Sequence, residues 1–198
     1  MTDLLPLTAD LARKSLTTPR EAARRVIAIG RSFQPAELWL VLFLLAVVST
    51  ILSHLVLMTL PPVDAGDGFV WLDLGPVALA GLQLATMAVM VWAILLVGGR
   101  MGGRGDLAGA LSVVVWLEFL TLAPLLAQAV LAPLAPALCD VAGMLGMAAF
   151  WVLLSFFVAE LHGFRSVPMV FGGIVLTVLI LAFALTPLLF LAGVRLDV

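Results

Sequence analysis

The stretch PAELWLVLFLLAVVSTILSHLVLMTL, residues 35–60, decides the fold class because it holds a single charged side chain, that of Glu37. A helix that crosses the roughly 30 Å hydrocarbon core of a bilayer needs about 20 apolar residues. Four more stretches of the chain meet this requirement, and prolines or glycines mark their ends. We therefore predict an all-α membrane protein, a bundle of five transmembrane helices over 36–60, 76–97, 107–131, 137–161 and 168–192.

The composition agrees with a membrane protein that has little soluble structure. Hydrophobic residues make up 64% of the chain and charged residues 11%, whereas a soluble domain carries roughly 25% charged residues. The net charge of -2 argues against a nucleic-acid partner. Cys139 is the only cysteine and there are two histidines, so we expect no disulfide, no metal site and no cofactor.

The distribution of basic residues predicts the orientation. Nine of the ten Lys and Arg residues fall on one side of a five-helix path, and Arg195 is the exception. By the positive-inside rule that side is the cytoplasm. The N-terminus is then cytoplasmic, the C-terminus is outside, and residues 193–198 form a short outer tail. The expected location is the bacterial inner membrane, as a multi-pass protein.

Residues 1–35 form a cytoplasmic N-terminal segment in which the sequence predicts one amphipathic basic helix. Arginines recur at helical spacing after Thr18-Pro19, with small and apolar residues such as Ala22 and Val26 between them. One interpretation places this helix on anionic lipid, and the other uses it to dock a protein partner.

Three stretches together carry a family resemblance. They are TTPREAARR (17–25), VGGRMGGRGDLAGAL (97–111) and ELHGFRSVPMV (160–170), placed before the first span, between the second and third, and between the fourth and fifth. This order resembles bacterial members of the Yip-one domain family, five-helix proteins related to the Ypt/Rab-interacting membrane proteins of eukaryotes. The resemblance implies association with other membrane proteins.

The same resemblance bears on small GTPases, because the eukaryotic relatives associate with prenylated ones. Those relatives carry an acidic–aromatic–glycine–proline signature before their membrane region. Here Asp73-Leu74-Gly75-Pro76 lacks the tyrosine and precedes the second span. That departure makes small-GTPase binding doubtful for this chain.

A carboxylate inside the third span is the main candidate for intramembrane chemistry. Glu118 lies about 16 Å into the span at 1.5 Å per residue, and a carboxylate at that depth is costly and often functional. Counting depth along the other helices gives a candidate polar site of Glu118, Thr86, Thr50, His54 and Gln83. The functional interpretation is a proton or cation relay, and the structural one is hydrogen bonding between helices.

A second candidate is a lipid or partner surface on the predicted cytoplasmic side. Its members are Arg20, Arg24, Arg25, Arg31, Arg100, Arg104, Glu160, His162 and Arg165. Ion pairing among the inner loops is the structural alternative. The glycine-rich loop over residues 98–105 lacks the lysine and hydroxyl of a phosphate-binding P-loop, so a tight hairpin explains it.

No catalytic motif is present, and the leading hypothesis is therefore a non-enzymatic scaffold or organiser. It would bind membrane lipid and a membrane-protein partner, or form a homo-oligomer. One alternative is a small oligomeric transporter or ion or proton conduit centred on Glu118. Another is an accessory subunit of a larger membrane complex.

Overall fold

The computed structural model describes residues 4–59 and 75–191, and within these ranges the chain forms seven α-helices and no strand. The helices are α1 (Leu4–Thr17), α2 (Pro19–Gly30), α3 (Pro35–Thr59), α4 (Pro76–Arg100), α5 (Leu107–Leu131), α6 (Pro136–His162) and α7 (Val167–Leu191). Each of α3 to α7 is long and apolar enough to cross a bilayer. The prediction of an all-α membrane protein with five spans is therefore confirmed, while its orientation stays a prediction.

Several sequence predictions lie outside the described residues. They concern Asp73 and Leu74 of the signature-like tetrapeptide, Arg195 and the tail 193–198.

The helix ends follow from proline and glycine chemistry. The first turn of a helix contains a proline in three cases, Pro19, Pro76 and Pro136. A backbone N–H at this position has no hydrogen-bond partner within the helix, so proline, which lacks it, loses nothing there. Gly163 ends α6 in the left-handed conformation, with φ of 74°, which glycine adopts without a Cβ clash. The tight turn after it leads directly into α7.

The third span, α5, lies at the centre of the bundle. Leu111, Val113, Val114 and Leu117 on it are fully buried, and α3 and α6 pack against it. Peripheral α7 packs mainly on α6, and many of its large side chains are exposed, Phe183 at 82%. In a bilayer such a surface faces hydrocarbon or another helix.

The amino-terminal segment differs from its prediction in two respects. It holds two helices, because α1 precedes the predicted basic helix α2. The apolar face of α2, which includes Ala22, Val26 and Ile27, is buried against α5 and α6. That face is therefore not free to lie on lipid, since contact with the bundle already covers it. We call the end of the bundle that bears α2 and the α4–α5 and α6–α7 loops the arginine end.

Candidate functional site

A buried histidine organises the arginine end. His162 closes α6 and is only 5% exposed. Its Nδ1 accepts a hydrogen bond from the Gly105 N–H at 3.1 Å, and its Nε2 lies 3.1 Å from the Ile94 carbonyl oxygen. Because Nδ1 accepts from a backbone amide, the proton must sit on Nε2, which donates to Ile94. The ring is thus a neutral imidazole that ties the α4–α5 region to α6.

Three glycines make room for this ring. A Cβ placed on Gly98, Gly103 or Gly105 would collide with the His162 imidazole. Between them, Gly102 has a φ of 87°, which favours glycine. We call Gly98, Gly103 and Gly105 the glycine cradle. The glycine-rich loop therefore packs closely around the His162 ring. This is a more specific role than the tight hairpin that the sequence predicts.

Ion pairs and hydrogen bonds attach α2 to this cluster. The Arg24 Nε lies 2.6 Å from the Glu160 Oε1, and Arg20 donates to the Arg165 carbonyl oxygen at 2.7 Å. These contacts join the stretch 17–25 to the stretch 160–170.

Arg31 makes the corresponding contact with the stretch 97–111. Its Nη2 and Nε lie 2.6 and 3.0 Å from Oδ1 of Asp106. The hydrogen bond from Arg31 holds the pKa of the Asp106 carboxyl below its ordinary value, against an opposing effect of burial. Asp106 was not among the predicted site residues. The available signal was its position as the sole carboxylate in a loop otherwise rich in arginine and glycine.

The three stretches that carry the family resemblance therefore form one contact cluster, although more than 130 residues separate Arg24 from Glu160 in the sequence. A family model for the Yip1 domain matches residues 13–189. The chain belongs to the Yip1 domain family. No curated protein and no solved structure matches it.

Membership of the Yip1 domain family confirms the resemblance and the assignment as a multi-pass membrane protein. The matched region runs from the second half of α1 through most of α7, so it includes the whole contact cluster. The glycine cradle around His162 and the ion pairs of α2 are thus features of the Yip1 domain of this chain.

The predicted basic surface divides into two groups. Arg24 and Arg31 pair across the cluster, and Arg25 lies 2.8 Å from Glu21 and 3.8 Å from Asp10. In contrast, three exposed arginines, one at the C-terminal end of α4 and two in the loops that follow α4 and α6, have no carboxylate within ion-pair distance among residues 4–59 and 75–191. We call these three the loop patch: Arg100, Arg104 and Arg165.

Within the membrane span, Glu118 is buried, with 7% of its surface exposed. The Gln83 Nε2 donates to its Oε1 at 3.4 Å. Ser49, whose hydroxyl donates to the Ala46 carbonyl oxygen at 3.2 Å, lines a cavity together with Glu118 and Gln83. Thr86 lines the same cavity as Glu118 and Gln83, but its hydroxyl donates to the Leu82 carbonyl oxygen. Ser49 was missed by the sequence analysis, since a serine hardly interrupts an apolar run.

Thr50 and His54 do not line the cavities that Glu118 and Gln83 line. Both line a separate cavity of about 720 Å³ between α3 and α4, from which Glu118 is absent. Equal depth placed them together in the prediction, but they project from a different side of α3 than Ser49 does. The Nδ1 of His54 is buried and has no hydrogen-bond partner in the described part of the chain.

Two cavities meet at Glu118. One, of about 370 Å³, lies between α4, α6 and α7 and is almost wholly apolar. The other, of about 430 Å³, contains the hydroxyl and amide side chains of Ser49, Ser53, Thr121 and Gln128. Glu118 and Gln83 line both cavities, so this pair stands at the boundary between an apolar and a polar space.

Nothing in the described ranges resembles a metal centre, because no three His, Cys, Asp or Glu side chains there are grouped closely enough to hold an ion.

Proposed function

We propose that this member of the Yip1 domain family is a non-enzymatic scaffold of the bacterial inner membrane. In this proposal it binds membrane-protein partners through the loop patch, on the side that the positive-inside rule assigns to the cytoplasm. The observation that carries the proposal is the division of the arginines: those of α2 are engaged within the chain, and the loop patch is left without a carboxylate in residues 4–59 and 75–191.

The rigid seating of the loops supports this proposal. The His162 ring, at the end of α6, forms hydrogen bonds with the backbone of Gly105 in the α4–α5 loop and of Ile94 in α4, and Arg20 donates to the Arg165 carbonyl oxygen. Loop arginines on such a framework lose less conformational freedom on binding than arginines on a mobile tail. An acidic segment of a partner would meet charges that are already positioned.

Gentle purification from the native membrane, followed by native mass spectrometry, tests this function. We expect a membrane-protein partner in stoichiometric amount. The triple variant R100Q/R104Q/R165Q should lose that partner because the complementary charges are gone. The control R13Q/K14Q/R25Q removes three positive charges from α1 and α2 and should retain the partner. Recovery as a lone monomer or homo-oligomer would overturn the proposal, as would equal retention by the two triple variants.

A second candidate function is an ion or proton conduit centred on Glu118. The observation that favours it is that Glu118 and Gln83 line both the apolar and the polar cavity. A carboxylate between two spaces within a membrane can pass a proton from one to the other.

Flux measurements in liposomes separate this candidate from the scaffold. If the conduit exists, Glu118→Gln should reduce proton flux at least tenfold without changing the oligomeric mass, because glutamine keeps the shape but cannot release a proton. Glu160→Gln, at the arginine end, should leave the flux unchanged. Wild-type flux no greater than that of empty liposomes would exclude the conduit.

A further inference from the structure

The apolar cavity between α4, α6 and α7 is a long slot. Along α4 its lining runs from Gln83 to Met101, about 27 Å at 1.5 Å rise per residue. Its volume of about 370 Å³ falls within the range of roughly 300–1,000 Å³ typical of ligand sites. Val89 and Val178 belong to the lining and are exposed, so the slot reaches the lipid-facing surface between α4 and α7.

A space of this kind does not stay empty in a bilayer. The atoms that line a void lose their dispersion contacts, and no hydrophobic force draws helices together in hydrocarbon to close it. The nearest material able to fill the slot is an acyl chain, which enters from the side without desolvating a polar group.

The loop patch stands at one end of this slot. Met101 and Phe164 line the cavity at the arginine end, and the exposed Arg100 and Arg165 are their immediate neighbours in the chain. Met101 also lies against α7, since a Cβ on Gly173 would be 3.4 Å from its sulfur. Arg100 and Arg165 are thus each next in sequence to a residue that lines the slot, and neither has a carboxylate within ion-pair distance in residues 4–59 and 75–191.

We propose that the slot binds one anionic phospholipid, with its phosphate at Arg100 and Arg165 and one acyl chain between α4 and α7. A chain from one leaflet spans about 15 Å, half of the hydrocarbon core, so it would end short of Glu118. The proposal rests on the proposed scaffold function only in that both use the loop patch. The phospholipid would then be a resident ligand that positions the patch against the membrane surface.

Native mass spectrometry of the full-length, lipid-stripped protein in detergent tests the proposal without any protein partner. The probes are phosphatidylglycerol and phosphatidylcholine with identical acyl chains. We expect one phosphatidylglycerol to bind about 30-fold more tightly than phosphatidylcholine, because the two arginines near the anionic headgroup together contribute about 2 kcal/mol and about 1.4 kcal/mol corresponds to tenfold. R100Q/R165Q should abolish this preference, and R13Q/R25Q, with the same loss of charge, should keep it.

A pair of cavity variants on α4 tests the acyl-chain half of the site. Ala93 lines the slot, so Ala93→Phe should weaken both lipids about tenfold by occupying it. Ala80 lines the separate cavity with His54, so Ala80→Phe is a matched control that should change neither.

Three results would overturn the lipid site: no preference for phosphatidylglycerol, equal binding by R100Q/R165Q and R13Q/R25Q, or equal effects of the two phenylalanine variants. The scaffold is judged separately. Ala93→Phe should still recover a protein partner from native membrane, so loss of lipid binding and absence of a partner are distinguishable failures.

Discussion

Replacing Gly98 with alanine is expected to lower the free energy of unfolding by about 1–3 kcal/mol, the usual cost of an extra methyl group in a filled space. The new Cβ would collide with the His162 imidazole. That ring cannot step aside, because Gly105 and Ile94 hold its two nitrogens and Phe164 stacks on it with ring centroids 5.5 Å apart. Denaturant unfolding in detergent micelles, followed by tryptophan fluorescence, measures the change.

The adjacent glycine supplies the control. Gly99 is also in α4, but a Cβ there would meet no atom within 4 Å. Gly99→Ala should therefore be neutral or stabilising by up to about 1 kcal/mol, since alanine favours the helix. In the double variant G98A/H162A the clash is removed, so its cost should be less than the sum of the two single costs. Equal effects at Gly98 and Gly99 would show that the cradle does not hold the ring as described.

The variant Gly30→Ala is expected to release α2 from the bundle, with a cost of similar size, about 1–3 kcal/mol. Gly30 is the last residue of α2, and a Cβ on it would overlap the Ser112 side chain of α5. Both residues are buried, so neither can shift without separating the helices. Limited proteolysis of the arginine-rich α2 in micelles should show cleavage that the wild-type protein resists.

Removing the opposing side chain provides the rescue. Ser112→Gly deletes the atoms with which the new methyl group would overlap, so G30A/S112G should regain much of the protease resistance lost in G30A. The Ser112→Gly single variant controls for the cost of a glycine within α5, about 1 kcal/mol. If G30A resists protease as the wild type does, α2 is not held at this contact.

The polar residues inside the membrane show what counting depth along a helix can and cannot predict. Depth along a helix follows from counting, because each residue advances 1.5 Å, and Thr50 does lie near the level of Glu118 by that count. The direction in which a side chain leaves the helix is a different quantity. Spans such as α3 are apolar on all sides, so no polar stripe marks the face that packs inward. Ser49 lines a cavity with Glu118, whereas its neighbour Thr50 lines the cavity with His54.

The basic helix α2 gives the opposite example. Its amphipathic pattern predicts a helix, and a helix does begin at Pro19. An apolar face, however, is equally suited to lipid and to protein, and no local property of Ala22, Val26 or Ile27 distinguishes the two. The apolar face of α2 packs on protein because α5 and α6 present a matching apolar surface to it. Asp106 and Glu160 at that surface lie within ion-pair distance of Arg31 and Arg24.

Hydropathy over windows of about 20 residues was sufficient to indicate five spans and an all-α fold, because insertion in a bilayer depends on each segment's own composition. Three short stretches were sufficient to indicate the Yip1 domain family. Only the packed structure shows the glycine cradle, the ion pairs of Arg24 with Glu160 and of Arg31 with Asp106, the loop patch, and the slot between α4 and α7. Each depends on how helices far apart in the sequence are rotated against one another, and that rotation is set by close packing between helices rather than by hydropathy.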